Sequence, residues 1–283
     1  MSDQPGTTSF AQNAELTSAP WRRLMPIAIL LVASVAVAAT VLNGSAAATA
    51  PVTDVQLVKA FPHDTSSFCQ GLVVFKGDIL EGTGQYNQSR LRLVDLETGR
   101  PKIDIPLAGN IFGEGVTVWE NTILQLTWRN GYLITYDAET FRKTGTIALN
   151  KIDRSLYEGW GITHDGRHLI ISDGSATLRF VDPKTFRLVK QVLVRDGRRT
   201  VSNLNELEFV NGEVFANIWY KDQIARIDPA TGRVTGWLNV AALRPASVRN
   251  DKEAALNGIA WEPTTKRLFV TGKNWPALYE ISF

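Results

Sequence analysis

The chain has 283 residues, 44% hydrophobic and 20% charged, with a formal net charge of +2, the profile of a globular domain carrying one strongly apolar stretch. Thirty Lys and Arg nearly balance 28 Asp and Glu, with no basic block, which removes nucleic acid from the expected partners. The single cysteine, Cys69, excludes an intramolecular disulfide and gives no reading of redox compartment.

The first fifty residues form a separate segment. After a polar leader, Arg22 and Arg23 precede an uncharged run from Leu24 to Leu42, followed by small residues up to Ala50. That is the order of an export signal, with Ala48 and Ala50 set for cleavage before Pro51. The run has nineteen residues, at the lower edge of what spans a bilayer, so an uncleaved anchor is the other reading. Under either, residues 51–283 work outside the cytoplasm, in the periplasm or tethered to the inner membrane, with membrane contact only through residues 24–42. The expected state of that domain is a monomer.

From Pro51 onward, short Val, Ile, Leu, Phe, Trp and Tyr runs are broken by Gly, Asn-Gly and Asp-Gly, which reads as nearly all β. A first run, Val52 to Lys59, stands alone. Five segments then superimpose, opening at "FCQGL", "FGEGV", "YEGWGI", "LNELEF" and "LNGIAW". Each gives a strand, a turn, a second strand, a polar loop and a third strand, and the first four close on "DLETG", "DAETF", "DPKTF" or "DPATG". Asp95, Asp137, Asp182 and Asp228 are separated by 42, 45 and 46 residues, a period in the range of β-propeller blades. The predicted fold is therefore an all-β, five-bladed propeller. Its last unit lacks a fourth strand, which pairing of Val52–Lys59 would supply. The four aspartates read as turn formers.

The variation between units points to function. Innermost strands of a propeller converge on a central channel, and a residue just before such a strand sits at the mouth. One predicted ring there holds Gln70, Glu114, Glu158 or Trp160, Asn205 with Glu206, and Asn257. A second holds Thr83, Trp128, Asp173, Trp219 and Lys273. A carboxylate on a floor walled by Trp128, Trp160 and Trp219 would have a raised pKa, which suits proton transfer near neutral pH. Other chemistry is poorly supported: His63, His164 and His168 lack metal-ligand spacing, Cys69 has no partner histidine in its own stretch, and no phosphate loop or nucleophile elbow occurs.

The motifs "FCQGL", "FGEGVT", "TWRN", "GWGI", "SDGSATL", "LNELEFVNGEVFAN", "LNGIAW" and "FVTGKNWP" together resemble the plant-type glutaminyl-peptide cyclotransferases, over about residues 61–283. The resemblance implies a five-bladed propeller enzyme that converts N-terminal glutaminyl residues of peptides to pyroglutamyl and releases ammonia. It implies Glu114 as acid/base, Gln70, Asn205 and Lys273 as further catalytic-site groups, and Phe68, Trp128, Trp160 and Trp219 as substrate-binding aromatics. It requires no metal or other cofactor for catalysis, although a structural cation in the channel is compatible with such an architecture. Cys69 departs from the threonine usual in "FTQG", with its side chain expected to point away from the ligand. The rival reading is a catalytically silent propeller that binds peptides in the cell envelope.

Overall fold

The computed structural model describes residues 48–283; the polar leader and the apolar run Leu24–Leu42 lie outside the described residues. Five antiparallel four-stranded blades follow one another along the chain. Blade 1 comprises Cys69–Phe75, Asp78–Thr83, Arg90–Val94 and Pro101–Pro106. Blade 2 runs through Gly113–Trp119, Thr122–Thr127, Tyr132–Asp137 and Lys143–Ala148, and blade 3 through Ile162–His164, Leu169–Ile171, Thr177–Val181 and Leu188–Leu193. Blade 4 is Leu204–Val210, Glu213–Ile218, Gln223–Ile227 and Val234–Asn239; blade 5 is Leu256–Glu262, Arg267–Gly272 and Ala277–Ser282, completed by Gln56–Pro62.

The core is divided among the seams between blades. Leu169, Ile170 and Ile171 are consecutive and fully buried. Successive strand residues face opposite ways, so Leu169 and Ile171 pack with Leu124 and Leu126 of blade 2, while Ile170 packs with Leu207 and Val214 of blade 4. Each blade is a wedge buried on both faces, which is why its strands read as continuous apolar runs instead of alternating ones. The outermost strand of blade 1, Pro101–Pro106, is largely exposed, as its Lys102 and Asp104 require.

The four aspartates occupy like positions. The Thr98, Thr140 and Thr185 amides donate to the carboxylates of Asp95, Asp137 and Asp182, and the Thr231 hydroxyl donates to Asp228. In each turn a backbone bond joins the aspartate carbonyl to the amide four residues on, at Gly99, Phe141, Phe186 or Gly232, and that fourth residue has positive φ in all four. Lys76–Gly77 and Asn211–Gly212, with positive φ at both residues, make tight two-residue hairpins, the turn that Asn-Gly favours.

Closure differs from the expectation in one respect. Gln56–Pro62 pairs antiparallel with Ala277–Ser282 of blade 5, but Val52–Asp54 pairs parallel with Trp237–Asn239 of blade 4. The run Val52–Lys59 is thus two strands, and it staples blade 4 as well as blade 5. The joint is Val55, buried between the two blades with its amide on the Asn239 carbonyl at 3.3 Å. The split places one half on the outer strand of blade 4, Val234–Asn239, and the other on the outer edge of blade 5.

Candidate active site

The site is built by a shared irregularity. The innermost strands of blades 1, 2, 4 and 5 each carry a β-bulge near their start, between Cys69 and Gly71, Gly113 and Val116, Leu204 and Leu207, and Leu256 and Ile259. A bulge leaves an extra residue unpaired and re-aims its side chain. The residues within these bulges include Gln70, Glu114, Asn205 and Asn257. The glycines beside them serve close approach: a Cβ on Gly115 would lie 2.6 Å from the Trp160 carbonyl, and Cβ atoms on Gly71 and Gly161 would collide with the backbones of Val116 and Asn205. The Gly115 amide instead donates to the Trp160 carbonyl at 2.8 Å, joining the inner strands of blades 2 and 3.

Above these bulges lies a cavity of about 630 Å³. All eight residues expected at the site line it: Phe68, Gln70, Glu114, Trp128, Trp160, Asn205, Trp219 and Lys273. Of the remaining ring residues only Glu158 does so. Asn257 stands behind the wall, donating to the Gln70 side-chain oxygen and to the Cys69 carbonyl, both at 3.0 Å. Gln70 in turn donates to Glu114 Oε1 at 3.0 Å, so a polar relay runs from blade 5 through blade 1 to blade 2. Thr83 accepts the Arg90 amide and Asp173 accepts Arg179; both serve their own blades. Cys69 is fully buried against blade 5, its thiol donating to the Gly71 carbonyl.

Glu206 turns down the axis. It stands where blades 1, 2, 3 and 5 have Gly71, Gly115, Gly161 and Gly258, and its carboxylate accepts the amides of Ile259 at 2.8 Å and Leu72 at 3.4 Å. Glu208, two residues on and on the same face, accepts the Trp261 amide at 3.0 Å and the Thr163 hydroxyl at 3.1 Å. Burial pushes the Glu208 carboxyl up to about 8. These acids tie together the inner strands of blades 1, 3, 4 and 5.

Two aromatic groups line the cavity. Blades 1 and 2 supply Phe68, Phe112, Tyr86 and Trp128, in edge-to-face contacts with ring centroids 5.4–6.2 Å apart. Blades 3 and 4 supply Trp160 edge-on to Trp219 at 5.3 Å, and Tyr220 stacked on Trp219 at 4.3 Å. Phe112, Gln85, Tyr86, Arg129, Tyr220 and Glu253 also line the cavity and were outside the predicted rings. Phe112 carried a legible signal, since it opens the "FGEG" motif. The others sit on loops whose meeting point depends on the rotation between blades.

The electrostatics converge on Glu114. It is 4% exposed, and burial lifts its carboxyl well above the usual range, opposed by the Lys273 charge and reinforced by Glu158. Its Oε2 has no protein partner, and neither do Asn205 Oδ1 and Trp219 Nε1. Burial lowers the Lys273 ammonium, while the Glu114 charge works against that shift. Among the described residues Lys273 makes no ion pair; its Nζ lies 4.7 Å from the Phe68 ring centre and 5.8 Å from that of Trp219. A buried proton acceptor, a cation and two unpartnered polar atoms thus share one aromatic cavity. That set can take a proton from a small polar group while holding its neighbours.

The sequence model of the glutamine cyclotransferase family matches residues 29–283. A glutaminyl-peptide cyclotransferase of Arabidopsis thaliana is 39% identical over 233 residues, covering 81% of this chain and 71% of that one. The crystal structure of Myxococcus xanthus glutaminyl cyclase superimposes with a TM-score of 0.75 at 37% identity, over 82% of this chain and 97% of that one. With a matching propeller and a match over nearly the whole described domain, the chain belongs to the glutamine cyclotransferase family.

Proposed function

We propose that this chain converts the N-terminal glutaminyl residue of a peptide to pyroglutamyl with release of ammonia. The observation that carries the reading is Glu114, which lines an aromatic cavity: one carboxylate oxygen is held by Gln70, and the other is buried with no partner in the protein. In this substrate the nucleophile is tethered to its target, so ring closure gathers much of the proximity advantage intramolecularly. The cavity has to select the folded rotamer, and the walls containing Trp128, Trp160 and Trp219 have the shape and apolarity for that.

The chemical step is a transamidation. The α-amine nitrogen bonds to the side-chain amide carbon, Glu114 takes a proton from that nitrogen, and the carbon–nitrogen bond of the amide breaks. Glu114 then gives the proton to the departing nitrogen, which leaves as ammonia. A peptide α-amine has a pKa of about 7.7–8.0; the upward shift of Glu114 brings its proton affinity toward that of the amine, which lowers the cost of transfer in either direction. Lys273 and the Trp219 N–H are donors for the oxyanion. Asn205 and Gln70 are assigned to hold and orient the glutaminyl residue, and Phe68 to flank it. No step in this scheme calls on a metal or another cofactor.

The assay is ammonia release together with mass measurement on a peptide beginning with Gln. Loss of one ammonia per peptide at a rate far above the spontaneous one is expected, and acetylating the α-amine must abolish it. Binding without turnover would favour the silent peptide-binding propeller. We further propose that residues 1–50 direct export and that residues 51–283 act in the periplasm or at the outer face of the inner membrane. Intact mass from the native host tests this: a mass beginning near Pro51 means cleavage, and retention of Leu24–Leu42 in the membrane fraction means an anchor.

A further inference from the structure

Among the cavity residues, Glu158 has contacts that the cyclisation scheme does not use. Its Oε2 accepts two indole N–H groups, from Trp128 at 2.8 Å and from Trp160 at 3.1 Å, and its Oε1 accepts the Arg129 Nε at 3.0 Å. Trp128 belongs to the wall from blades 1 and 2, whereas Trp160 belongs to the wall from blades 3 and 4. One carboxylate therefore joins the two halves of the cavity.

Both indoles are held from the other side as well. Trp160 rests against Gly174, whose φ is +79° and where a Cβ would lie 2.7 Å from the ring. Trp128 has the Arg129 guanidinium 4.1 Å above its ring centre and Phe112 edge-on at 5.4 Å. Each ring is thus wedged between a fixed neighbour and Glu158, which leaves it little rotation. Trp219, the third tryptophan of the cavity, has no such tie, and its buried Nε1 remains unpartnered.

We propose that Glu158 is a positioning residue for cyclisation: its carboxylate sets the spacing and angle of the Trp128 and Trp160 walls. The inference rests on the cyclotransferase reading. The side chain of Glu158 is 30% exposed and its oxygens are bound by three donors, so its influence passes through the indoles and through Glu114. Like charges disfavour simultaneous ionisation, and the negative charge of Glu158 raises the proton affinity of Glu114.

Two variants separate the roles. Glu158→Gln keeps the volume and an oxygen for the indoles but removes the charge. It should move the acid limb of the kcat/KM profile to lower pH, with KM changed less than about threefold. Glu158→Ala removes the clamp: losing hydrogen bonds to a charged acceptor should raise KM by roughly 10-fold and change tryptophan emission and its anisotropy in the absence of substrate. An unshifted pH profile in the glutamine variant overturns the charge role, and unchanged KM and emission in the alanine variant overturn the positioning role. If Glu158→Ala does not fold, Glu158→Asp takes its place, because a side chain one methylene shorter cannot reach both indoles and should raise KM in the same direction. The emission and peptide-binding readouts need no turnover. Failure of the cyclotransferase reading would therefore appear as inactive wild type, distinct from failure of this one.

Discussion

The turns that close blades 1 to 4 and the bulges that open the inner strands derive from the same repeat, yet they have diverged to different degrees. At the turns, Asp95, Asp137, Asp182 and Asp228 make one geometry four times, down to the positive φ of the residue four positions on. At the bulges, the equivalent positions carry Gln70, Glu114, Trp160, Asn205 and Asn257, with no residue type in more than two blades. A turn solves the same backbone problem in each blade, so one solution serves all. The channel mouth is a single place reached by five strands, and chemistry there needs different groups from each. Within a repeat, sameness marks scaffold and difference marks site.

The largest effect that would break this comparison is at Glu114. Glu114→Gln preserves volume and the contact with Gln70 but cannot accept the proton, and general acid/base catalysis is typically worth about 10²- to 10⁴-fold. Turnover should fall by that factor with the melting temperature little changed. A fully active variant would remove Glu114 from the chemistry.

Next comes the wall. Trp128→Ala deletes a half-buried indole, and burying a large apolar side chain is worth about 1.5–3 kcal/mol, so KM should rise by roughly 10- to 100-fold. A variant whose kcat falls while KM holds would show that the ring acts in the transition state instead.

A smaller, pH-dependent effect belongs to the seam between blades 5 and 1. His63, directly after the closing strand, pairs through Nε2 with Glu81 of blade 1 at 3.1 Å, contacts the Trp275 carbonyl through Nδ1 at 2.7 Å, and Ser67 donates its hydroxyl to the same carboxylate. Burial lowers the His63 pKa, but the Glu81 charge and hydrogen bonds outweigh it and leave the group above 6.5. Glu81 is held below its ordinary value: burial raises it, and His63, Ser67 and Arg92 overcome that. The Glu81 contribution is complete above about pH 4.5 and is lost as pH falls through its lowered value. The His63 contribution is complete below about pH 6.5 and is lost as pH rises through its raised value. Stability from this pair should therefore be greatest between those limits. A His63→Gln variant should flatten the decline in melting temperature above pH 6.5, and an unaltered slope there would refute the assignment.

The smallest effect sharpens the scaffold side. Exchanging the blade 3 turn for that of blade 2, by Pro183→Ala with Lys184→Glu, should alter stability by no more than about 0.5 kcal/mol and leave kcat/KM untouched. A large loss in denaturant unfolding would mean that the turns are less alike than their geometry.

The same contrast explains what could be read in advance. Blade count, turns and seven of the eight expected cavity residues were legible because each has a fixed place in the repeat; Phe68 was legible only through the family resemblance. Tyr220 and Glu253 were not, because their meeting across the rim, with the tyrosine hydroxyl donating to the carboxylate at 2.8 Å, depends on how blade 4 is rotated against blade 5. Glu206 was expected at the mouth; its position in the repeat, where the other blades have glycine, was the signal that its side chain fills the axis. The division of Val52–Lys59 at Val55 had no local signature, since both halves are ordinary strand sequence and only the two waiting edges distinguish them.

The double staple has a consequence for the order of events in time. Gln56 faces Ser282 and Val52 faces Trp237, so the strands made first have partners among those made last. At roughly 5–20 residues per second of synthesis, Gln56–Pro62 waits on the order of 10–45 s before its partner strand exists. During that interval blades 1 to 4 can form from neighbouring segments, but the ring cannot shut. The cavity, which draws Gln70 from the first blade and Lys273 from the last, cannot be complete until the final blade arrives.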